Sequence, residues 1–232
     1  MNILEEKINL YRKNIEDLKN KIKESCQRAG RKVNNVLIIA ASKYADASQI
    51  KEVMKLGIRD FGENRTDELL EKYNLIGRDA IWHFIGHLQG RKVKMAVPLV
   101  EYIHSIDNIN TLKKVNYEAL KINKIQKVLI EVNISGEESK YGMKPEDIED
   151  FLIQAKKYKN VEIKGLMTVA PLIDDMEYIR VVFRKLRELK DRFNSVFKDL
   201  SLTELSMGMS NDFKIAIEEG ATMIRIGSSI FT

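Results

Sequence analysis

The stretch NNVLIIAASKYADASQIKEVMKLG, residues 34–57, changes its hydrophobic pattern halfway along. Its first half is a nearly continuous apolar run, which is typical of a strand buried on both faces of a parallel sheet. Its second half is amphipathic, starting at a capping box formed by Asp46 and Gln49 and ending at Gly57. The stretch therefore predicts a strand followed by a helix, the repeating unit of α/β folds.

The same alternation of strand and helix recurs along the rest of the chain. We expect strands near Val36–Ser42, Ile58–Gly62, Ile81–Ile85, Tyr102–Ile106, Val128–Ile134, Val161–Met167, Thr203–Ser206 and Thr222–Ile226. We expect helices between them, near 47–56, 65–76, 88–97, 108–121, 145–158, 174–194 and 211–219. Eight strands separated by helices predict a single closed (β/α)8 barrel of the TIM type, with a doubly wound open sheet as the alternative.

The first 30 residues predict an additional N-terminal helix, because apolar side chains recur there at spacings of three and four. These side chains are Leu4, Ile8, Tyr11, Ile15, Leu18, Ile22 and Cys26. We expect this helix to pack on its own barrel, with a coiled-coil dimer as the alternative. No linker or shift in composition divides residues 1–232. The sequence therefore predicts one domain, as a monomer, with a dimer as the alternative.

Composition argues against several classes of partner. The net charge of +5 is a small excess of 39 basic over 34 acidic residues, and no basic block is interleaved with aromatics, so we expect no nucleic-acid partner. No apolar run approaches the ~18 residues of a membrane span. The N-terminus lacks the apolar core of a signal peptide, and Cys26 is the only cysteine. These features predict a protein of the cytoplasm.

Lys43 follows the first strand at the end where barrels carry their functional residues. By the two-residue period of a strand it shares a face with Ile39 and Ala41, so we expect it among small apolar neighbours. An uncharged amine in such a place is a nucleophile toward carbonyl carbons. The alternative is a lysine that extends to the rim and pairs with a carboxylate.

The loops after the seventh and eighth strands predict a phosphate site, as in other barrels of this type. Ser206 is placed at the tip of the seventh strand, and Gly208 and Ser210 follow it. Gly227 and Ser228 come directly after the eighth strand. Glycine lets a backbone approach a ligand closely, and serine adds a hydroxyl donor. Turn chemistry alone also uses these residue types.

Arg225 lies on the eighth strand, and its guanidinium has donors only. If it points inward it needs an acceptor, either a ligand or a strand carboxylate such as Glu204 or Glu131. Asn64, after the second strand, offers a donor and an acceptor, and it could also cap the helix that follows. An amine, a phosphate site and an arginine at one barrel mouth match the aldehyde, phosphate and ring nitrogen of pyridoxal 5′-phosphate.

The three histidines do not predict a metal site. His83 and His87 have a helical spacing, but the sequence around them predicts a strand and a turn, and His104 lies on the next strand. We therefore expect no metal.

Several motifs together resemble the YggS/PROSC family of pyridoxal phosphate homeostasis proteins. The resemblance covers nearly the whole chain after residue 33. Its motifs are AASKY (40–44), DFGENR (60–65), WHFIGHLQGRK (82–92), HSID (104–107), VNISGEESKYGM (132–143), GLMT (165–168) and LSMGMSNDFKIAIEEGATMIRIGSSIF (205–231). The loop at Gly90 and Arg91 departs from the family pattern, and we assign no role to it.

The resemblance implies a barrel similar to that of alanine racemase and a Schiff base between pyridoxal phosphate and Lys43. It also implies phosphate contacts from Ser206 and the Gly227–Ser228 turn, Arg225 at the ring nitrogen and Asn64 at the cofactor's edge. Members of the family are thought to be non-catalytic and to keep the cofactor's level in order, which makes cofactor-dependent apo-enzymes candidate partners. The alternatives are an amino-acid racemase or decarboxylase, with Tyr44 or Tyr141 as candidate acids, and an aldolase-type barrel.

Overall fold

A computed structural model of the chain describes residues 3–137 and 140–232. Eight parallel strands pair in sequence order, and the first pairs with the last, so the sheet closes into a barrel. The strands β1 to β8 are Leu37–Ala41, Asp60–Glu63, Ile81–Phe84, Tyr102–Ile106, Gln126–Glu131, Val161–Met167, Glu204–Ser206 and Met223–Ile226. The predicted (β/α)8 fold with an N-terminal helix is confirmed, and the open sheet is excluded.

Helices surround this barrel. The helices α1 to α9 are Ile3–Arg28, Ala47–Lys55, Thr66–Ile76, Val93–Ala96, Ile109–Lys121, Ile148–Ala155, Met176–Val196, Phe213–Glu218 and Ser228–Phe231. Short 3-10 turns cover Val33–Asn35, Gly77–Asp79 and Pro145–Asp147. None of the helices in the described parts of the chain is long and apolar enough to cross a membrane.

The helices depart most from the sequence prediction at three places, and most other ends differ by one or two residues. The helix expected over 88–97 shrinks to the single turn α4, and the one expected over 145–158 opens as a 3-10 turn at Pro145 before α6. The short α9 was not predicted, because four residues are too few to show a helical period. The capping box that opens α2 is confirmed, since Asp46 accepts from the Gln49 backbone and the Gln49 side chain accepts from the Asp46 N–H.

The barrel has two apolar layers, set by the alternation of side chains along each strand. Between the sheet and the helices lie large fully buried rings, among them Trp82 and Phe61, whose centroids are 6.1 Å apart. Inside the barrel Ile39, Leu129 and Met167 form a small separate cluster with Met223. Because this inner cluster is small, the rest of the barrel interior is left to polar side chains.

Helix α1 packs along α8 and α9 beside the last strand. The Tyr11 ring meets Phe231 edge-on with centroids 6.1 Å apart, and its hydroxyl accepts from Gln49 at 2.7 Å. The amide of Asn14 donates to the carbonyls of Ile230 and Thr232 at 3.2 and 3.1 Å. These contacts tie the end of the chain, and the turn before it, to the first helix.

Candidate functional site

Four neighbouring strands carry the residues that the sequence singles out. Around the barrel the order is β7, β8, β1, β2, so Ser206, Arg225, Lys43 and Asn64 come from one side of the same mouth. In the register, Arg225 lies beside Ile39, four residues before Lys43. At about 3.3 Å per residue the two backbones are separated by at most about 13 Å along the strand direction, since the chain leaves the strand after Ala41. That interval accommodates two long side chains with a planar ring between them.

Lys43 lies in the turn after β1 rather than on the strand, and it is exposed. Its Nζ is 4.7 Å from the centroid of the Tyr44 ring, which is itself 89% exposed. Within the described residues the amine has no carboxylate partner. The expectation that Lys43 sits among apolar neighbours is therefore wrong, because the strand ends two residues earlier and the side chain of the turn residue is exposed.

A buried ion pair supports this turn from behind, and the sequence analysis did not identify it. Lys72 on α3 donates to the carboxylate of Glu63 and to the carbonyl of Ser42, both at 2.8 Å. The Ser42 hydroxyl donates to the same carboxylate oxygen at 2.6 Å. Glu63 is fully buried, and burial raises its pKa above the usual range, against the hydrogen bonds from Lys72 and Ser42. The pair fixes the backbone next to Lys43.

Asn64 follows β2 at the mouth, and its side chain is exposed with no hydrogen-bond partner in the described residues. It does not cap the next helix, since Arg65 occupies that position without a side-chain bond, so the capping prediction is wrong. The backbone of Asn64 lies directly against Gly86, where a Cβ would overlap the Asn64 carbonyl oxygen. Glycine at position 86 therefore sets where Asn64 stands.

The turn after β8 lies against the end of β1. A Cβ on Gly227 would stand 3.3 Å from the Ala41 carbonyl oxygen, so glycine allows the close approach. Ser228 opens α9 and is exposed. Gly208, after β7, has a φ of +94°, which favours glycine and turns the chain away from the strand. Both loops that were predicted to contact phosphate thus border the mouth.

Ser206 is fully buried, and its hydroxyl is engaged on both sides. It accepts from Arg225 Nη1 at 2.6 Å and lies 2.9 Å from His104 Nδ1. This placement does not suit the predicted phosphate contact, because the hydroxyl is fully buried and already has partners.

Arg225 points into the barrel and is 4% exposed. Its Nη2 donates to the carbonyl of Thr168 at 2.9 Å, in addition to the bond with Ser206. Within the described residues it has no ion pair with Glu204 or Glu131. Burial lowers its pKa to about 10, and the charges of Asp212 and Glu131 act in the opposite direction. The guanidinium is thus held by neutral acceptors and keeps further N–H groups free.

A line of buried polar side chains continues from Ser206 across the barrel interior. His104 Nε2 lies 3.0 Å from His83 Nδ1, and His83 Nε2 lies 3.0 Å from the carboxylate of Asp60. Both histidines are almost fully buried. Burial, followed by the charges of His83 and Arg225, lowers the pKa of His104 well below its usual value. One feature of the sequence indicated these contacts. His83 and His104 lie on predicted strands, and His83 alternates with the core-facing Trp82 and Phe84, which places it on the inner face of the sheet.

A carboxyl group also faces the mouth from β5. Glu131 is 9% exposed, and burial raises its pKa to about 7, with a further increase from Asp107 and a decrease from Arg225. Nearby, the ring of Tyr141 stacks on His87 with centroids 3.9 Å apart. Glu131 has the pKa of a group that exchanges protons at neutral pH.

A cavity of about 470 Å³ lies beside the loops after β7 and β8, between α1, α8 and α9. Ser210 and Ser229 line it, together with Lys21 and Lys214. Asp17 of α1 and the C-terminal Thr232 also line it, so the cavity carries groups of both charges and lies beside α1, and none of Lys43, Asn64, Gly227 or Ser228 lines it.

Comparison with known proteins identifies the family to which the chain belongs. Residues 14–232 match the family model described as the alanine racemase N-terminal domain. A protein of Aquifex aeolicus named pyridoxal phosphate homeostasis protein is 43% identical over 212 residues, which are 91% of this chain and 92% of that one.

Two solved structures are similar over nearly their whole length. PipY of Synechococcus elongatus, solved with pyridoxal phosphate bound, has a TM-score of 0.81 and 31% identity, covering 91% of this chain and all of that one. A structure from Bifidobacterium adolescentis has a TM-score of 0.91 and 30% identity, covering 100% and 97% of the two chains. The fold, the motifs and these relatives together show that the chain belongs to the pyridoxal phosphate homeostasis protein family, with the barrel of the alanine racemase N-terminal domain.

Proposed function

We propose that this protein binds pyridoxal 5′-phosphate reversibly through a Schiff base on Lys43 and holds the cofactor without catalysing amino-acid chemistry. The observation that supports the proposal is the placement of Lys43 in the turn after β1 and of Arg225 on β8, the strand that pairs with β1. Relatives named for pyridoxal phosphate homeostasis, and the cofactor in PipY, support it.

The residues at the mouth fit the chemical groups of the cofactor. The amine of Lys43 is accessible, so it can add to an aldehyde carbon, with water leaving as the C=N bond forms. Arg225 keeps N–H donors free for a ring nitrogen with a lone pair. Asn64 has an unused amide at the rim. A neutral pyridine withdraws electrons less strongly than a pyridinium, which favours holding the cofactor over carbanion chemistry.

For the phosphate contacts we propose Gly227 and Ser228, as predicted from the sequence. We propose Ser210, rather than the predicted Ser206, as the contact from the loop after β7. Gly227 brings the backbone close to the end of β1, and the Ser228 hydroxyl is exposed. Ser210 is partly exposed in the loop after β7, whereas the hydroxyl of Ser206 is already engaged by Arg225 and His104.

A second candidate function, a racemase or decarboxylase, is favoured by one observation. Glu131 is a buried carboxyl group at the mouth, and its pKa of about 7 would suit a general acid or base. Tyr44 and Tyr141 are also exposed at the rim. We prefer the non-catalytic function because Arg225 would leave the ring a weak electron sink.

The first experiment locates the covalent bond. The purified protein should absorb visible light when loaded with pyridoxal phosphate, and borohydride reduction followed by peptide mapping should find the adduct on Lys43. Lys43→Ala should abolish the adduct and keep the fold, because the exposed side chain adds little packing. Lys55→Ala, at an exposed lysine of α2 paired with Glu52, is the matched control. An adduct mainly on another lysine would refute the assignment.

The second experiment separates holding from catalysis. The loaded protein is incubated with a panel of amino acids in deuterated water, and exchange of the α-proton is followed. We expect exchange no faster than with free cofactor, and transfer of the cofactor to an added apo-enzyme. Exchange at an enzyme-like rate, on the order of 1–1000 per second, would establish the racemase or decarboxylase function instead. If Glu131 supplied the acid, Glu131→Gln would abolish that exchange.

A further inference from the structure

The line of buried side chains behind Arg225 has a definite direction. Arg225 has only donors, so its Nη1–H donates to the Ser206 oxygen, and the Ser206 hydroxyl is then free to donate to His104 Nδ1. With Nδ1 accepting, His104 carries its proton on Nε2 and donates to His83. His83 in turn donates from Nε2 to the carboxylate of Asp60.

The carboxylate at the far end selects this direction. If every bond between Ser206 and Asp60 were reversed, His83 would present a lone pair to the Asp60 carboxylate, and two acceptors 3.0 Å apart repel each other. Protonating His104 would place a second cation in a closed interior that already holds Arg225. Bonds that all run one way also polarise one another, so each is strengthened by its neighbours.

We propose that Asp60, His83 and His104 are positioning residues that hold Arg225 as a fixed donor, so that the site selects a pyridine ring whose nitrogen is an acceptor. This inference rests on the proposed function, because Arg225 is there assigned to the ring nitrogen. None of the three residues would touch the cofactor. They would act through Ser206, which receives Arg225 directly.

Other groups around Arg225 do not supply this orientation. The Thr168 carbonyl holds Nη2, but a carbonyl accepts equally well from several directions. Asp212 and Glu131 act on Arg225 through their charge, and within the described residues neither stands within ion-pair distance of it. The direction in which the Ser206 hydroxyl donates depends on its other neighbour, His104. The protonation of His104 and His83 therefore determines how Ser206 receives Arg225.

The first test examines the line itself in the protein without cofactor. Nitrogen-15 chemical shifts of the two imidazole rings report which nitrogen carries the proton. We expect both rings to be neutral, with the proton on Nε2 in His83 and in His104. A proton on Nδ1 in either ring, or a doubly protonated ring at pH 7, would overturn the direction.

The second test measures selectivity with two ligands, pyridoxal 5′-phosphate and N-methylpyridoxal 5′-phosphate, whose ring nitrogen carries a fixed positive charge and no lone pair. We expect the natural protein to prefer the first on the order of 100-fold, because the second loses a charge-assisted bond and opposes a cation. In Asp60→Asn the preference should fall below about 10-fold, since Asn can donate back toward His83 and release the direction. His104→Phe, which keeps a planar ring but removes the acceptor of the Ser206 hydroxyl, should have the same effect.

Gln126→Leu is the matched control. Gln126 is fully buried in the same barrel and bonds to the carbonyls of Glu101 and Lys127, away from the line. It should lower stability and leave the preference near 100-fold. If the natural protein binds pyridoxal phosphate and both Asp60→Asn and His104→Phe keep its full preference, the positioning role alone is refuted. A natural protein that binds neither ligand refutes the proposed function and this inference with it.

Discussion

Replacing Glu131 by glutamine should make the protein more stable at neutral pH, although it removes a charge beside a buried arginine. Glu131 lies at the end of β5 and is 9% exposed. Burial is the largest influence on its pKa, Asp107 acts in the same direction, and the attraction of Arg225 is smaller. Glutamine keeps the shape of the protonated side chain and has no charge to desolvate.

The magnitude follows from the difference between the folded and unfolded proteins. The pKa of Glu131 rises from 4.5 to about 7 on folding, so the folded protein binds an additional proton between these values. The stability contributed by Glu131 is therefore complete below pH 4.5 and is lost as the pH rises through about 7. At 1.36 kcal/mol per pH unit, the total loss is about 3 kcal/mol.

The assay is urea denaturation of the cofactor-free protein at pH 5, 6, 7 and 8. We expect the free energy of unfolding of Glu131→Gln, relative to the natural protein, to rise by roughly 2–3 kcal/mol across this range and to level off above pH 7. Glu146→Gln, at an exposed position, should show no such trend. If the advantage of Glu131→Gln stays constant or shrinks as the pH rises, Glu131 is ionised in the fold and its attraction to Arg225 outweighs burial.

Three further predictions concern residues that support the mouth. Lys72→Met should lower the free energy of unfolding by roughly 3–5 kcal/mol, because Glu63 is left buried without its cation. Adding Glu63→Met to this variant should recover most of the lost stability. A loss under about 1 kcal/mol for Lys72→Met in denaturant titration would contradict this. Gly86→Ala should weaken cofactor binding in absorbance titrations by displacing Asn64, since a Cβ overlaps its backbone carbonyl; unchanged affinity would show that Asn64 does not contribute. Asn14→Leu loses two hydrogen bonds to the last helix, so amide hydrogen exchange there should accelerate; unaltered exchange would mean that the apolar contacts of α1 suffice.

Much of the fold could be predicted because it depends on local patterns. Each strand is a short apolar run and each long helix has its own period, so eight repeats predicted a barrel without any knowledge of contacts. The Asp46 capping box involves residues three apart and was readable for the same reason. The length of the helix predicted over 88–97 was overestimated. Its apolar residues pack against the core whether they lie in irregular loops or in the one helical turn of α4.

The candidate site was predicted only as far as strand ends could place it. Lys43, Arg225 and the Gly227–Ser228 turn were located at the mouth from sequence, but the exposure of Lys43 and the engagement of Ser206 were not foreseen. Exposure depends on where a turn leaves the strand, and engagement depends on neighbours from other strands. Neither is encoded in the spacing of nearby residues.

The order of strands and helices, and the residues at the strand ends, could therefore be predicted from the sequence alone. Closure of the barrel and the pairing of its interior side chains depend on the three-dimensional packing. His104 and Ser206 are 102 positions apart in the chain, and they meet because barrel closure brings β4 and β7 to one interior. Lys72 finds Glu63 because α3 folds back over β2. A buried polar side chain must find a hydrogen-bond partner among the groups that the packed strands bring next to it. Those groups are distant in the sequence, so local sequence patterns do not predict which of them will pair.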